Sequence, residues 1–330
     1  MCHGPSVGAY GGGVRGLLIV NLHATTTSPR VTDVLVHALA DEIDLEVVRT
    51  EHRGHARELG ERARRERLNL LCTLGGDGTV NEAVNGALAD GPGPDVPDLV
   101  IVPGGSANVV ARSLGLPADP VEATGEILEA LRADRRRRIG LGLITAVNES
   151  GSEREPQWFL ANAGMGIDAE IIEAMERARS TGHEATPTRY LLTTLQQFFL
   201  GTNRRHPALR AYTDAEIING IFLAIIQNSA PWTYLGGKAI NPCPDASFES
   251  GLDLFAVRRL SVAAATRIAR RMLAGSSAGS TRRSLSILHN LARFTLTADP
   301  ATALQIDGEG IGKVLRIDVQ SVPDALSVVC

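Results

Sequence analysis

The chain has 330 residues, 44% of them hydrophobic and 21% charged, with a formal net charge of -4 at pH 7. That length suits two cores, the composition is that of a globular protein, and the slight acidity excludes nucleic acid as the main partner. Aromatics at 4% supply no stacking platform for single strands either. Cys2, Cys72, Cys243 and Cys330 lie far apart without metal-ligand spacing, and read as free thiols of a reducing cytosol. Residues 1–13 form a glycine-rich flexible tail without signal-peptide character. No run reaches the roughly 18 apolar residues of a membrane span. The expected location is cytoplasmic, with peripheral access to the inner membrane face.

In chain order, Leu17–Val20 is a short apolar run ending at Asn21, and Val31–Ala40 carries helical spacing. Leu45–Val48 reads as a strand and Arg57–Arg67 as a charged surface helix, to which His52 and His55 are assigned. Leu68–Leu74 is a continuous apolar run of the kind buried on both faces of a parallel sheet, and Leu99–Val102 is another. Asp119-Pro120 opens a helix that turns Ile127, Leu128 and Leu131 inward. Strands alternating with helices imply a layered α/β domain, with ligands at the carboxyl ends of its strands.

Two glycine turns carry the chemistry. Leu74 is followed by Gly75, Gly76, Asp77, Gly78 and Thr79, then by a helix with Val80, Ala83, Val84, Ala87 and Leu88 on one face. Glycines permit positive φ and close approach to a ligand, and the following helix N-terminus offers N–H groups to a phosphate. Thr79 and Glu82 also fit a capping box. An Asp inside such a turn weakens phosphate binding unless it manages a metal ion or a proton. The second turn, Pro103-Gly104-Gly105-Ser106-Ala107-Asn108, repeats the device on what should be the neighbouring strand.

From Ile139 onward strand-like runs dominate: Leu141–Val147, Trp158–Ala163, Leu209–Thr213, Ile217–Gln227, Leu252–Val257 and Leu288–Thr297. They suggest an antiparallel sandwich, with helices at Ala169–Arg179, Arg189–Leu200 and Val262–Leu273. The apolar residues of the second helix suit either an acyl-chain pocket or an ordinary core. Arg135–Arg138, Arg204-Arg205, Arg258-Arg259 and Arg282-Arg283 suit either anionic headgroups or a solvated surface.

The runs LGGDGTVNEAVNG and VPGGSANVVARSLGLP resemble the catalytic domain shared by diacylglycerol kinases, sphingosine kinases and bacterial lipid kinases. FLANAGMGIDAEI, QNSAPWTYLGGKAINPCPDASFESGLDLF and LQIDGEGIG are similar to later signatures of that family, the Trp232-Thr233-Tyr234 version to its actinobacterial members. The resemblance implies a nucleotide-binding α/β domain over 14–139, completed by 314–330, and a β-sandwich-like substrate domain over 140–313. The active site is then expected in the cleft between the domains. It also implies ATP and Mg²⁺ as cofactors and a lipid hydroxyl, most simply that of diacylglycerol, as acceptor. Asn21, Thr50, Gly75, Gly76, Asp77, Gly78, Thr79, Val80, Asn81, Glu82, Gly105, Ser106 and Asn108 would line the nucleotide. Asp307 or Glu309 would be the base, and Asp77 would organise the catalytic metal.

The chain departs from the family at Asn21-Leu22-His23-Ala24, at Gly140, where an Asp is usual, and at Ser250-Gly251, where the family has Asp-Gly. A structural Mg²⁺ at Ser247, Ser250 and Leu252 therefore lacks its carboxylate, although Glu249 stands beside it. NAD kinases, which share GGDGT, are the second enzyme class, and a non-catalytic nucleotide or lipid binder is the third reading. A lipid at the membrane surface is the expected partner, and an exposed sheet edge could pair two chains.

Overall fold

The computed structural model describes residues 13–21, 28–166, 208–235, 237–259, 261–275 and 284–330. The helices expected at 169–179 and 189–200, the 22–24 loop, Arg204-Arg205 and Arg282-Arg283 lie outside the described residues. Two compact units divide the chain. The first holds residues up to Ser106, Leu116–Arg137 and Ser327–Cys330; the second holds Ala107–Gly115 and Arg138–Leu326.

In the first unit β1 (Arg15–Val20), β2 (Asp44–Arg49), β3 (Leu70–Gly75) and β4 (Asp98–Pro103) form a parallel sheet in the order β4-β3-β1-β2. All of β3 is buried, Thr73 included, whereas β2 at the edge is mostly exposed. The chain's end joins the other edge: Val328 pairs in parallel with Leu99, and the Val329 amide donates to the Leu99 carbonyl.

Helices α1 (Pro29–Ala40), α2 (His55–Arg65), α3 (Asp77–Ala87) and α5 (Pro120–Arg132) flank this sheet, with the short α4 (Val109–Ser113) before α5. Proline at the first position and a capping side chain start α1 and α5: Ser28 Oγ accepts from Val31 and Asp119 Oδ1 from Val121 and Glu122. On α5 Ile127 is fully buried while Leu128 and Leu131 are half-buried.

Helices α2 and α3 pack through small residues. A Cβ on Gly60 would lie 2.1 Å from the Ala83 carbonyl oxygen, and one on Gly86 1.9 Å from that of Arg57. Each glycine lets the partner's backbone come closer than any side chain would permit. Ala56, Leu59, Ala63, Ala83 and Ala87 complete a core with Leu17, Ile19 and Leu71 of the sheet.

The second unit is built from antiparallel strands. These are β5 (Arg137–Asn148), β6 (Gln157–Phe159), β7 (Asn162–Gly166), β8 (Leu209–Thr213), β9 (Ile217–Ile221), β10 (Leu223–Gln227), β11 (Thr233–Leu235), β12 (Lys238–Ile240), β13 (Leu252–Val257), β14 (Leu285–Leu291), β15 (Arg293–Ile306) and β16 (Glu309–Val328), with one further helix, α6 (Val262–Ala274). Three runs that read as single strands are each two. Ile217–Gln227 breaks at Phe222, Trp158–Ala163 at Leu160-Ala161, and Leu288–Thr297 at Ala292. A hydrophobicity pattern reports burial on both sides of such a break and cannot register the break itself.

β15 is shared. Phe294–Ala298 pairs with β8 and Leu304–Ile306 with β7, while β16 runs along both stretches. β10 and β13 are apolar on both faces. Ala224, Ile226, Leu252, Leu254 and Ala256 join the main core, while Ile225, Phe255 and Val257 face a second cluster covered by Ile268 and Met272 of α6. That double burial explains why β13 is apolar at every position but Asp253, which is itself buried.

Three arginines of the described runs make contacts within the protein. Arg136 pairs with Asp98 at 2.8 Å, Arg138 donates to the Asp324 carbonyl, and Arg258 Nε donates to the Asn219 carbonyl at 3.0 Å. These contacts account for part of the charge that the sequence left open between headgroups and solvent.

Candidate active site

The carboxyl ends of β1, β2 and β3 come together in the first unit. The Asn21 amide donates to the Leu74 carbonyl (3.0 Å) and the Thr50 amide to that of Val20 (2.9 Å), so both residues stand directly beyond their strands. At the next strand Gly75 is in register with Pro103, and the Gly104 amide donates to the Gly75 carbonyl at 2.9 Å. The two glycine turns thus leave adjacent strand ends, as their spacing suggested.

Helix α3 begins sooner than a capping box at Thr79 allows. Gly76 is its N-cap in extended conformation (φ -88°, ψ 177°), Asp77 is its first residue, and no side chain caps it. Thr79 and Glu82 are inside the helix and act elsewhere. Thr79 Oγ1 accepts from Asn21 Nδ2 at 2.9 Å, and both Glu82 oxygens accept from the Gly54 amide at 3.1 Å. Gly54, with φ of 86°, is in turn the N-cap of α2. The glycines of this turn are not among those with positive φ. At Gly75 the need for glycine is steric, because a Cβ would sit 2.9 Å from Thr79 Oγ1.

The remaining residues of the expected nucleotide site have separate fates. Gly76, Asp77 and Gly78 are half-buried, Val80 is buried, and Asn81 accepts from Asn85 Nδ2 at 3.0 Å. Gly105 is half-buried and Ser106 exposed. Asn108 is buried and left-handed (φ 49°) at the start of α4, in the second unit. What this geometry offers chemically is a helix of about three turns whose N-cap is a glycine without a capping side chain, at the end of a parallel strand.

In the second unit β15 turns into β16 at Asp307-Gly308, both with positive φ (45° and 84°), so that Ile306 pairs with Glu309. Asp307 is only 8% exposed. Its Oδ2 accepts from the Leu160 amide (2.8 Å) and its Oδ1 from those of Ala161 and Asn162 (2.9 Å each). Its own amide donates to the Asn162 carbonyl at 2.8 Å. Protonating this carboxylate would disturb the hydrogen bonds that fix the link between β6 and β7. Glu309, half-buried at the start of β16, stands two residues on.

Three polar side chains that sequence reasoning passed over complete this region. Asn162 Nδ2 donates to the Trp232 carbonyl (3.0 Å), Gln305 Nε2 to Asn162 Oδ1 (3.2 Å), and the Gly308 amide to Gln305 Oε1 (2.9 Å). Asn228 Nδ2 donates to the Gly140 and Leu160 carbonyls at 2.8 and 2.7 Å. Each is a polar residue within or ending an apolar run, which was the available signal. Gly140 itself has no room for a side chain: a Cβ would lie 2.8 Å from the Phe248 carbonyl oxygen.

Residues 247–252 form a turn closed by hydrogen bonds of its own. Ser250 Oγ donates to the Ser247 carbonyl at 3.0 Å, the Ser247 hydroxyl donates to the Glu249 carboxylate, and Leu252 is fully buried in β13. Among the described residues no cluster of three or more His, Cys, Asp or Glu has metal-ligand geometry. Nearby, buried Asp253 bonds His289 Nδ1 at 2.6 Å, and burial holds its carboxyl above the usual range against the opposing pull of His289. Burial also pushes the Cys72 thiol up to about 12, so it stays protonated at neutral pH. No helix among the described residues is long and apolar enough to cross a membrane.

The family profile "Diacylglycerol kinase catalytic domain" matches residues 15–143. The diacylglycerol kinase of Staphylococcus carnosus (strain TM300) is 34% identical over 219 residues, 62% of this chain and 69% of that one. That of Bacillus subtilis (strain 168) is 25% identical over 267 residues, 78% of this chain and 76% of that one. A crystal structure described as a diacylglycerol kinase from Bacillus anthracis str. Sterne superposes with a TM-score of 0.69 at 20% identity, covering 96% of this chain and 97% of that one. At that identity the superposition speaks for the fold.

Proposed function

The chain belongs to the diacylglycerol kinase family, and on that premise we propose an ATP-dependent lipid kinase whose acceptor is diacylglycerol and whose product is phosphatidic acid. The observation that carries the nucleotide half of this reading is the uncapped start of α3 at Gly76-Asp77-Gly78, beyond the carboxyl end of β3. Its amides and positive dipole end receive the phosphates. Asn21, bonded to Thr79, and Thr50 stand at neighbouring strand ends to meet the rest of the nucleotide. Gly105, Ser106 and Asn108 add contacts from the second turn.

Glu309 takes the proton of the acceptor hydroxyl as its oxygen attacks the γ-phosphorus, and ADP departs on the opposite side. Asp307 is the framework of that turn, because its oxygens already hold three amides. Asp77, half-buried and flanked by glycines at the first position of α3, is suited to hold Mg²⁺ arriving with ATP. The ion, when bound, supplies charge neutralisation at the phosphates. The protein meets its substrate at the membrane surface from the cytosol.

The experiment is transfer of labelled γ-phosphate from ATP with Mg²⁺ to diacylglycerol in mixed micelles, beside parallel tubes containing NAD. Labelled phosphatidic acid that disappears with Asp77→Ala supports the reading. Labelled NADP would move the chain to the other kinase class, and tight ATP binding with no transfer would make it a binder.

A further inference from the structure

Residues Ala107–Gly115 follow directly on a turn of the first unit, yet they pack as part of the second. One contact there stands out. The Arg112 guanidinium of α4 lies over the ring of Tyr234 in β11, 3.1 Å from its centroid. Both side chains are half-buried, which strengthens a cation–π contact relative to one in open water. The same segment is fastened at a second point, because the Trp232 carbonyl, two residues before Tyr234, accepts from Asn162 Nδ2 at 3.0 Å. Asn162 receives Gln305, Gln305 receives the Gly308 amide, and Asp307 holds the Asn162 amide at 2.9 Å. A continuous chain of contacts therefore runs inside the second unit from the Asp307-Gly308-Glu309 turn, through Asn162 and the 232–234 segment, to Arg112. Four residues before Arg112 stands Asn108, whose carbonyl accepts the Arg112 amide at 3.1 Å.

We propose that Tyr234 is a positioning residue: by holding Arg112 it fixes α4, and with it Asn108, in register with the turn that carries Glu309. A nucleotide contact and the proton acceptor are then held within one compact unit. Trp232-Thr233-Tyr234, which the sequence marked only as a family variant, acquires a role of its own. This inference rests on the kinase reading for its kinetic consequence, but the latch itself does not depend on that reading.

The test compares Tyr234→Phe, Tyr234→Leu, Arg112→Met and the Arg112→Met/Tyr234→Leu double variant. The readouts are kcat, KM for ATP and for diacylglycerol, melting temperature, and amide exchange over Val109–Leu114. Loss of the ring or of the guanidinium should lower kcat/KM for ATP about tenfold, the scale of one cation–π contact. KM for the lipid should hold, the melting temperature should fall by no more than the few degrees that loss of one such contact implies, and Tyr234→Phe, which keeps the ring, should stay closest to the parent in its ATP kinetics. The double variant should be no worse than either single one, since both remove the same contact. Parental ATP kinetics in Tyr234→Leu, or losses that multiply in the double variant, would overturn the proposal. A parent that transfers no phosphate would sink the kinase reading and leave the latch to the exchange data. Faster exchange at 109–114 in Tyr234→Leu then supports it, and unchanged exchange overturns it. If Tyr234→Leu does not fold, Arg112→Met carries the same comparison.

Discussion

At Asp77 the chain leaves β3 and starts α3 with no side chain over the helix end, whereas at Asp307 it reverses from β15 into β16 with three amides closed around one carboxylate. The two turns share their composition, an acidic residue beside glycine at a strand end. What separates them is the ownership of their hydrogen bonds. The first has a glycine as N-cap, with no capping side chain, and a second helix packed closely against its own. The second commits its carboxylate to the fold and presents a different one, Glu309, two residues later. The difference teaches that an acidic residue in a glycine turn is assigned its role by its neighbours' amides, which its own sequence context does not reveal.

The sharpest way to break this comparison is at Asp307. Asp307→Asn replaces one accepting oxygen with a donor that faces backbone N–H groups, so a charge-assisted hydrogen bond is lost and buried amides are left unmatched. The expected cost is about 3 kcal/mol of stability, together with loss of activity. Denaturant unfolding measures the first, and a variant as stable as the parent would remove Asp307 from the framework.

The first turn is tested from below. Gly86→Ala would place a Cβ 1.9 Å from the Arg57 carbonyl oxygen, which belongs to helical backbone and cannot swing away. Helices α2 and α3 must separate, at a cost of about 2 kcal/mol, and the shift should raise KM for ATP by displacing the start of α3. Unchanged ATP affinity alongside that destabilisation would show that α3 packing does not position the phosphates.

The smallest effect belongs to the 247–252 turn. Ser250→Ala removes the hydroxyl that donates to the Ser247 carbonyl and should cost about 1 kcal/mol. Without nucleotide, EDTA should leave the parent's melting temperature where it was. A rise in that temperature on adding Mg²⁺ alone would contradict the hydrogen-bonded arrangement.

The parallel strands and their helices were legible in the sequence because burial on both faces writes long apolar runs, as in β3, and because Asp119-Pro120 marks a helix start; α1 was placed two residues late, since Ser28-Pro29 caps it. The paired glycine turns were legible for the same reason, since each follows such a run. The start of α3 was misplaced because Thr79 and Glu82 satisfy the capping pattern while bonding to Asn21 and Gly54, partners 58 and 28 residues away. The roles of Asp307, Asn162 and Gln305 were hidden because their partners lie up to 147 residues away in the chain. Ser250 was visible as a departure from the family, but only the geometry shows its hydroxyl bonded to the Ser247 carbonyl.

The most direct test of the account is Glu309→Gln assayed for single-turnover transfer of labelled phosphate to diacylglycerol, with ATP affinity and melting temperature measured on the same preparation. The account predicts a fall of about 100- to 10,000-fold in the transfer rate with affinity and stability unchanged. A Glu309→Gln enzyme that transfers phosphate at the parental rate would contradict it and return the proton to another base.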